Sequence, residues 1–511
     1  MTVGQFLLVA VLAVPALGAV AVAAVPRDRA ARLVGTIAAA LTVPLAALLA
    51  TGDRTWTAYT ATAPAIRPWH RLDLQWVPGL DLRLHLGVDG ISWPLVVLTA
   101  LLTALCCGYT LWRVPPGGSG RALVALLLVV EVGILGTFLA LDLVLFFLFF
   151  EVVLLPMYAI IVGWGGSTGR DGRPARDAAR AAARKFALYT LFGSVLLLVG
   201  VYAVVSAAGT ADLIVLTGGS ELTRGTQLAA FVLLGLAFAV KSPLWPLHSW
   251  LPDAHTQAPT VGSVVLAGVL LKMGTYGLIR VAVGVAPEGA RWAAPVLGAL
   301  AVAAILVGSL VCLAQTELKR LIAYSSVGHM GFVLLGVATL TATGIQGALI
   351  GNVAHGVITG LLFFLAGAIK DRTGTGSLAE LSGLRETAPR LAGLLAFAAI
   401  ASLGLPGLAG FWGEALAVIA AVQVGGAYWT TLAVLAAVGG ALTAAYLLRL
   451  LRRVTHGRPG PAVGSVTPVL SGAELTAWAP LVVLTLAIGL APTLVLGVAG
   501  EPVAALVEVL R

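Results

Sequence analysis

Glu131, Glu151, Lys241, Lys272, His329, His355 and Glu414 are titratable side chains set inside apolar runs of a 511-residue chain. Carboxylate, amine and imidazole take up and hand on protons, and imidazole does both near neutral pH. Glu151 is the clearest case: Phe146-Phe147-Leu148-Phe149-Phe150 precedes it and Val152-Val153-Leu154-Leu155-Pro156 follows. An ionised side chain at a bilayer centre costs about 2.5–3.5 kcal/mol on insertion scales, so such groups turn toward a protein interior and find partners. Lys241, in Val240-Lys241-Ser242-Pro243, is the natural partner of Glu151. The charge on one member of such a pair decides whether the other keeps its proton, which makes the pair a proton-transfer element. Lys272, in Leu270-Leu271-Lys272-Met273-Gly274, is the next basic station, and His329, His355 and Glu414 extend the set into a lateral line of polar groups. A structural ion pair or a snorkelling end residue is the competing account, strongest for Glu131.

The elements that position these groups follow from composition. Hydrophobic residues make up 59% and charged residues 10%, where a soluble domain carries about 25% charge. A water-soluble enzyme, a disordered chain and a disulfide-stapled secreted fold are excluded. Apolar runs of roughly 20 residues recur from end to end, so the fold class is an all-α polytopic membrane protein. Fourteen transmembrane helices are predicted, over 4–25, 31–51, 89–112, 121–140, 142–163, 185–208, 226–247, 257–283, 292–314, 321–340, 345–369, 390–422, 427–451 and 477–499. Of the 31 Lys and Arg residues, 21 fall after helices 1, 3, 5, 9, 11 and 13, including the run Arg170 to Lys185. Eight lie on the other side: Arg54, Arg67, Arg71, Arg83, Arg224, Arg280, Arg291 and Arg511. The positive-inside rule then puts both termini outside, and it accounts for the basic excess without nucleic acid. Lys241 and Lys272 are the two basic residues left over, both inside helices.

Helices 4–8 (121–283) and 9–13 (292–451) form two similar five-helix blocks, between an N-terminal part (1–120) and a C-terminal part (452–511). Five is odd, so the second block enters from the opposite face, giving an inverted repeat with discontinuous helices 7 and 12. Helix 7 breaks at Ser242-Pro243 and helix 12 at Gly404-Leu405-Pro406-Gly407. The loop Trp245–Thr260 holds His248, Asp253 and His255 but no Lys or Arg. A metal site is one reading of it, yet the ligand spacing is mixed, and the Trp and Pro residues point to a rigid cap forming a polar entrance for protons. Asp142 is either a helix cap or an exit-side group. Cys106, Cys107 and Cys312 show no metal or disulfide spacing, and haem, flavin and cluster motifs are absent from the sequence.

Several stretches resemble the antiporter-like membrane subunits of NADH:quinone oxidoreductase (respiratory complex I) and their relatives in multisubunit cation/proton antiporters and membrane-bound hydrogenases. They are Phe149-Phe150-Glu151 to Tyr158, Phe238-Ala239-Val240-Lys241-Ser242-Pro243 through Pro259, Leu318-Lys319-Arg320 to Gly331, and Gly404 to Glu414. The resemblance implies fourteen helices, a Glu151–Lys241 pair, a central Lys272, and relay positions at His329, His355 and Glu414. Glutamate at 414, and only about a dozen residues after helix 14, are similar to the M-type (mitochondrial subunit 4-like) pattern. By this likeness the chain is a non-redox, proton-translocating subunit in a bacterial cell membrane. NADH, FMN, iron–sulfur clusters and quinone are then expected in partner subunits, with L-type and N-type neighbours and membrane lipids as partners. The Arg-rich segment 164–185 is a contact for a partner or lipid. The runner-up is a subunit of a cation/proton antiporter, and a scaffold or quinone-binding module is disfavoured by the buried charge.

Overall fold

The computed structural model describes residues 2–51, 65–77, 82–166, 174–464 and 469–510. Arg54, Arg170 and Arg511, used above to orient the bundle, lie outside the described residues. Within a bilayer each backbone N–H and C=O must be satisfied internally, and the apolar runs achieve this as helices. α1 (Val3–Ala24) and α2 (Asp28–Leu48) lead to a hairpin of β1 (His70–Val77) and β2 (Leu82–Val88). Then come α3 (Trp93–Thr110), α4 (Gly120–Leu139), α5 (Leu143–Val152), α6 (Leu154–Trp164), α7 (Ala175–Ala208), α8 (Leu213–Leu216) and α9 (Arg224–Lys241). The middle of the chain holds α10 (Trp250–Gln257), α11 (Thr260–Val265), α12 (Leu271–Gly277), α13 (Pro287–Ala314), α14 (Leu318–Ala338) and α15 (Ala342–Thr373). The last stretch holds α16 (Leu384–Thr387), α17 (Pro389–Ser402), α18 (Ala409–Val424), α19 (Gly426–Thr455), α20 (Gly472–Leu490) and α21 (Thr493–Val509). Among the described residues, 13 helical spans are long and apolar enough to cross a membrane, and α17 and α18 are shorter apolar helices. The fold is an all-α polytopic membrane bundle with a small hairpin attached.

The bundle is broken where the sequence withholds backbone donors. α9 stops at Lys241, ahead of Pro243 and Pro246, and the buried Trp250 indole N–H donates to the freed Val240 carbonyl at 3.0 Å. Between α17 and α18 the chain turns through Gly404 (φ 80°) and Gly407 (φ 92°), left-handed conformations that an L side chain resists. α5 gives way to α6 at Val153 because Pro156 has no N–H for the carbonyl of residue 152.

Around α12 the helix widens into π turns at Leu266–Leu270 and Leu278–Val283. This whole span, Thr260–Val283, is enclosed on every side, and α14 and α15 nearly so. α1, α2 and α7 instead leave apolar side chains such as Phe6, Leu41 and Leu188 exposed, as lipid-facing helices do.

Several element edges differ from the sequence reading. α7 begins at Ala175, not 185, because Ala-Arg-rich residues are strong helix formers. The described part of the Arg-rich segment, from Arg176 to Lys185, is therefore helical. The predicted helix 477–499 is cut at Ala491-Pro492: residues before proline are driven from the α region, and Ala491 sits at φ −130°, ψ 70°. A second helix, α21, fills the stretch read as a tail. The hairpin was not foreseen. Leu72, Leu86 and Val88 point inward from it, while Asp73 takes both Nε and Nη2 of Arg83 at 3.0 and 2.9 Å.

Candidate functional site

Lys272 sits at the middle of the enclosed span, and its Nζ reaches back to the Ala267 carbonyl at 2.5 Å. That carbonyl belongs to the first π turn, whose wider winding leaves backbone groups without ordinary helical partners. The same Nζ lies 2.6 Å from Nδ1 of the buried His355 on α15. An ammonium here donates to Nδ1, which places the ring proton of a neutral His355 on Nε2, and that nitrogen has no hydrogen-bond partner. The His355 ring faces the His329 ring of α14, centroids 5.7 Å apart and edge-on. His329 Nδ1 donates to Glu414 Oε1 of α18 at 3.1 Å, and its Nε2 pairs with Ser402 Oγ of α17 at 3.0 Å. His329, His355, Thr359, Ser402 and Glu414 line one cavity of about 30 Å³, enough space for a water molecule. Four of the predicted residues, Lys272, His355, His329 and Glu414, are thus gathered across four elements, with a small cavity at the one step that lacks a direct bond.

Glu151 and Lys241 are arranged differently. Glu151, on the last turn of α5, accepts a 2.5 Å hydrogen bond from Ser194 Oγ of α7. Lys241 is buried at the end of α9; its Nζ makes no hydrogen bond and stands 4.6 Å from the Phe150 ring centroid. Among the described residues no ion pair within 4.0 Å joins them. The cation instead rests on the ring preceding Glu151, a favourable arrangement for a desolvated ammonium. Lys241 is also brought toward Lys272, because a Cβ on Gly274 would meet Ser242 Oγ at 2.2 Å and the Phe238 carbonyl at 2.8 Å. Only a glycine lets α12 approach the end of α9 this closely.

Glu131 of α4 is fully buried, and neither carboxylate oxygen has a hydrogen-bond partner. Asp142 caps α5, accepting from the Val144 and Leu145 amides at 2.9 Å each.

At the loop after α9, Asp253 accepts from Lys185 Nζ and Arg320 Nη1, 2.8 Å each, so α7, α10 and α14 are clamped together. Burial alone would raise its carboxyl, but hydrogen bonds from Lys185 and Arg320 outweigh that and hold it below the usual carboxylate range. Deeper, His255 is fully buried with both ring nitrogens unpartnered, stacked on Phe363 at 4.4 Å. Lys319 Nζ donates to the Ala258 carbonyl at 3.0 Å. His248, Asp253 and His255 do not converge, and among the described residues no group of three or more His, Cys, Asp or Glu side chains could hold a metal ion. All three cysteines are free and buried.

Sequence reasoning missed Ser194, Ser402 and the Thr275–Asn352 bond at 2.8 Å behind Lys272. Lone serines and threonines in apolar helices carry little signal, because they also bond their own helix backbone, as Ser194 does to the Thr190 carbonyl.

Residues 140–443 match the family described as NADH:quinone oxidoreductase/Mrp antiporter, TM. Subunit M of the NADH-quinone oxidoreductase of Rhodobacter capsulatus is 42% identical over 448 residues, spanning 85% of this chain and 84% of that protein. NAD(P)H-quinone oxidoreductase chain 4 of Trichormus variabilis is 39% identical, over 84% of this chain and 80% of the relative. A chain of respiratory complex I from Thermus thermophilus superposes with a TM-score of 0.84 at 31% identity, covering 99% of this chain and 100% of that one. A chain of the Mrp complex from Dietzia has the same fold, with a TM-score of 0.81 at 24% identity over the full length of both. The chain belongs to this family of multi-pass bacterial membrane subunits and, within it, to the M-type.

Proposed function

We propose that the chain is a proton-translocating membrane-arm subunit of NADH:quinone oxidoreductase, driven by quinone reduction in other subunits. The observation that carries this reading is the sequence of contacts Lys272–His355 and His329–Glu414, joined by a shared cavity within the bundle. Glu151, Lys241, Lys272, His329, His355 and Glu414 are assigned as the proton stations. Lys272 moves a proton to or from His355 Nδ1, and His355 Nε2 passes it across the cavity to His329. His329 exchanges it with Glu414. The segment around Asp253 and His255 is assigned as the polar entrance, facing the cytoplasm, with both termini on the outer side.

Fourteen crossings fit this assignment, α17 and α18 together making one broken helix 12 and α9 ending the broken helix 7. The units 121–283 and 292–451 are read as inverted repeats, 1–120 and 452–511 as flanking parts, and L-type and N-type subunits as neighbours. NADH, FMN, iron–sulfur clusters and quinone are assigned to other chains of the complex.

The test uses Glu151→Gln and Lys241→Ala in membranes. NADH:quinone reductase rate and proton uptake, normalised to assembled complex, should fall on the order of 10²-fold, as on loss of a proton-transfer group. Glu151→Asp, which keeps the charge, should be milder. Wild-type pumping in both of the first two variants would refute the relay, and loss of assembled complex would make the pair structural.

A further inference from the structure

Away from the buried line, the end of α19 carries three arginines, Arg449, Arg452 and Arg453, with His456 one turn on. These four side chains, with Leu378, Ala379 and Ser382 of the segment after α15, line an open hollow of about 700 Å³. The hollow is a built feature, because its two walls are tied together. Gly383 N–H donates to the His456 carbonyl at 3.1 Å, Ser382 Oγ to the Arg458 carbonyl at 3.0 Å, and Gly460 N–H to the Ser382 carbonyl at 2.8 Å. Among the described residues none of the three arginines has an ion pair or a hydrogen bond to a carboxylate, and no carboxylate lines the hollow. Glu380 is the adjacent acid in sequence, and among the described residues it forms no ion pair.

The apolar side of the same helix supplies the second half of the argument. Val434, Val438 and Leu448 are 58%, 49% and 55% exposed, and with Ala441 and Ala445 they make one outward stripe at i, i+3 and i+4 spacing. That stripe runs straight into Arg449 and Arg452. Unpaired arginines at the end of an exposed apolar stripe match a phosphate headgroup above an acyl chain, the pattern by which basic pockets at membrane helix ends hold anionic lipids.

We propose that the α19 hollow is a binding site for an anionic phospholipid, its phosphate held by Arg449, Arg452 and Arg453 and an acyl chain lying along Val434–Leu448. Arginine suits this task because its planar fork bonds phosphate oxygens two at a time. Each arginine near such a surface contributes about five-fold in affinity, so removing all three should weaken binding roughly 100-fold. The site is independent of the proton stations.

The experiment uses the whole purified complex, delipidated, with photoreactive phosphatidylglycerol and phosphatidylcholine as probes and peptide mapping as readout. Phosphatidylglycerol should label residues of α19 in the wild type, with phosphatidylcholine labelling them weakly. The Arg449→Gln/Arg452→Gln/Arg453→Gln variant should need about 100-fold more phosphatidylglycerol for the same labelling. Arg452→Gln alone, expected to shift about five-fold, serves if the triple variant does not assemble. Equal labelling by both lipids, or labelling unchanged in the variants, would overturn the proposal. So would displacement of the probe by millimolar inorganic phosphate, which would make the ligand a free anion. Protection of α19 by a neighbouring subunit in the intact complex would assign the arginines to a protein contact and overturn it as well.

Discussion

Glu151 owes its position to Ser194 more than to a salt bridge, since the 2.5 Å hydroxyl bond is its direct contact while Lys241 rests against Phe150. A hydrogen bond to an ionised group contributes about 1.5–3 kcal/mol. Ser194→Ala should therefore slow proton uptake several-fold with assembly unchanged, and Ser194→Thr should restore most of it; equal rates in Ser194→Ala and wild type would show that the hydroxyl does not orient Glu151. His355 makes its side-chain hydrogen bond through Nδ1, to Lys272, while its buried Nε2 has no hydrogen-bond partner. The identity of the titratable residues was legible, because a charge in an apolar run is conspicuous against so costly a background. Their pairing was not: it depends on which rotamer each side chain takes once its neighbours are packed.

At the scale of elements, the two left-handed glycines between α17 and α18 separate stability from function. Gly407→Ala places a Cβ in ordinary contact, 4.0 Å from Leu490 Cδ2, but in a left-handed conformation, which costs about 1–2 kcal/mol. Gly404→Ala carries the same strain, and its Cβ would also lie 2.9 Å from Glu414 Oε2. Both variants should lower the temperature of thermal inactivation, while only Gly404→Ala should also reduce proton uptake per assembled complex. Matching uptake in the two would remove Gly404 from the support of Glu414. The Gly-Leu-Pro-Gly break was legible because proline and glycine act locally. The hairpin announced itself by period-two alternation, as in Leu82-Arg83-Leu84-His85-Leu86, a signal overshadowed by the long apolar runs around it. The π turns beside Lys272 were invisible, since an apolar run reads the same whether it winds with four or five residues per bond.

At the scale of the whole molecule, distant segments are locked by charge pairs at the rims of the apolar bundle. Asp89, at the start of α3, holds Arg280 in the second π turn, and both are buried. Removing one partner of a buried pair costs about 3–5 kcal/mol, much of it from the charge left behind. Arg280→Gln should therefore lower thermal stability sharply, and Asp89→Asn/Arg280→Gln should recover part of the loss; additive losses would show that the pair is not coupled. The Asp253 clamp predicts acid sensitivity. Its folded carboxyl titrates below the unfolded one, so its contribution is complete above the ordinary carboxylate value of about 4 and is lost as pH falls through the folded value. Residual activity after incubation between about pH 3 and pH 7 should fall less steeply in Asp253→Asn than in the wild type. Parallel curves would place the acid-sensitive group elsewhere.

The sequence by itself determined the membrane, the number of long apolar helices to within one or two, the breaks at Ser242-Pro243 and Gly404–Gly407, and which titratable residues lie in apolar runs. Each of these is written in local composition or spacing, and the cost of unsatisfied polar groups in lipid leaves few alternatives. Tertiary structure alone decided that Lys272 meets His355 while His329 meets Glu414, that Ser194 reaches Glu151, and that a cavity joins the two histidines. Residues 83 and 85 positions apart in the chain make those contacts, and only the packing of whole helices fixes which faces touch.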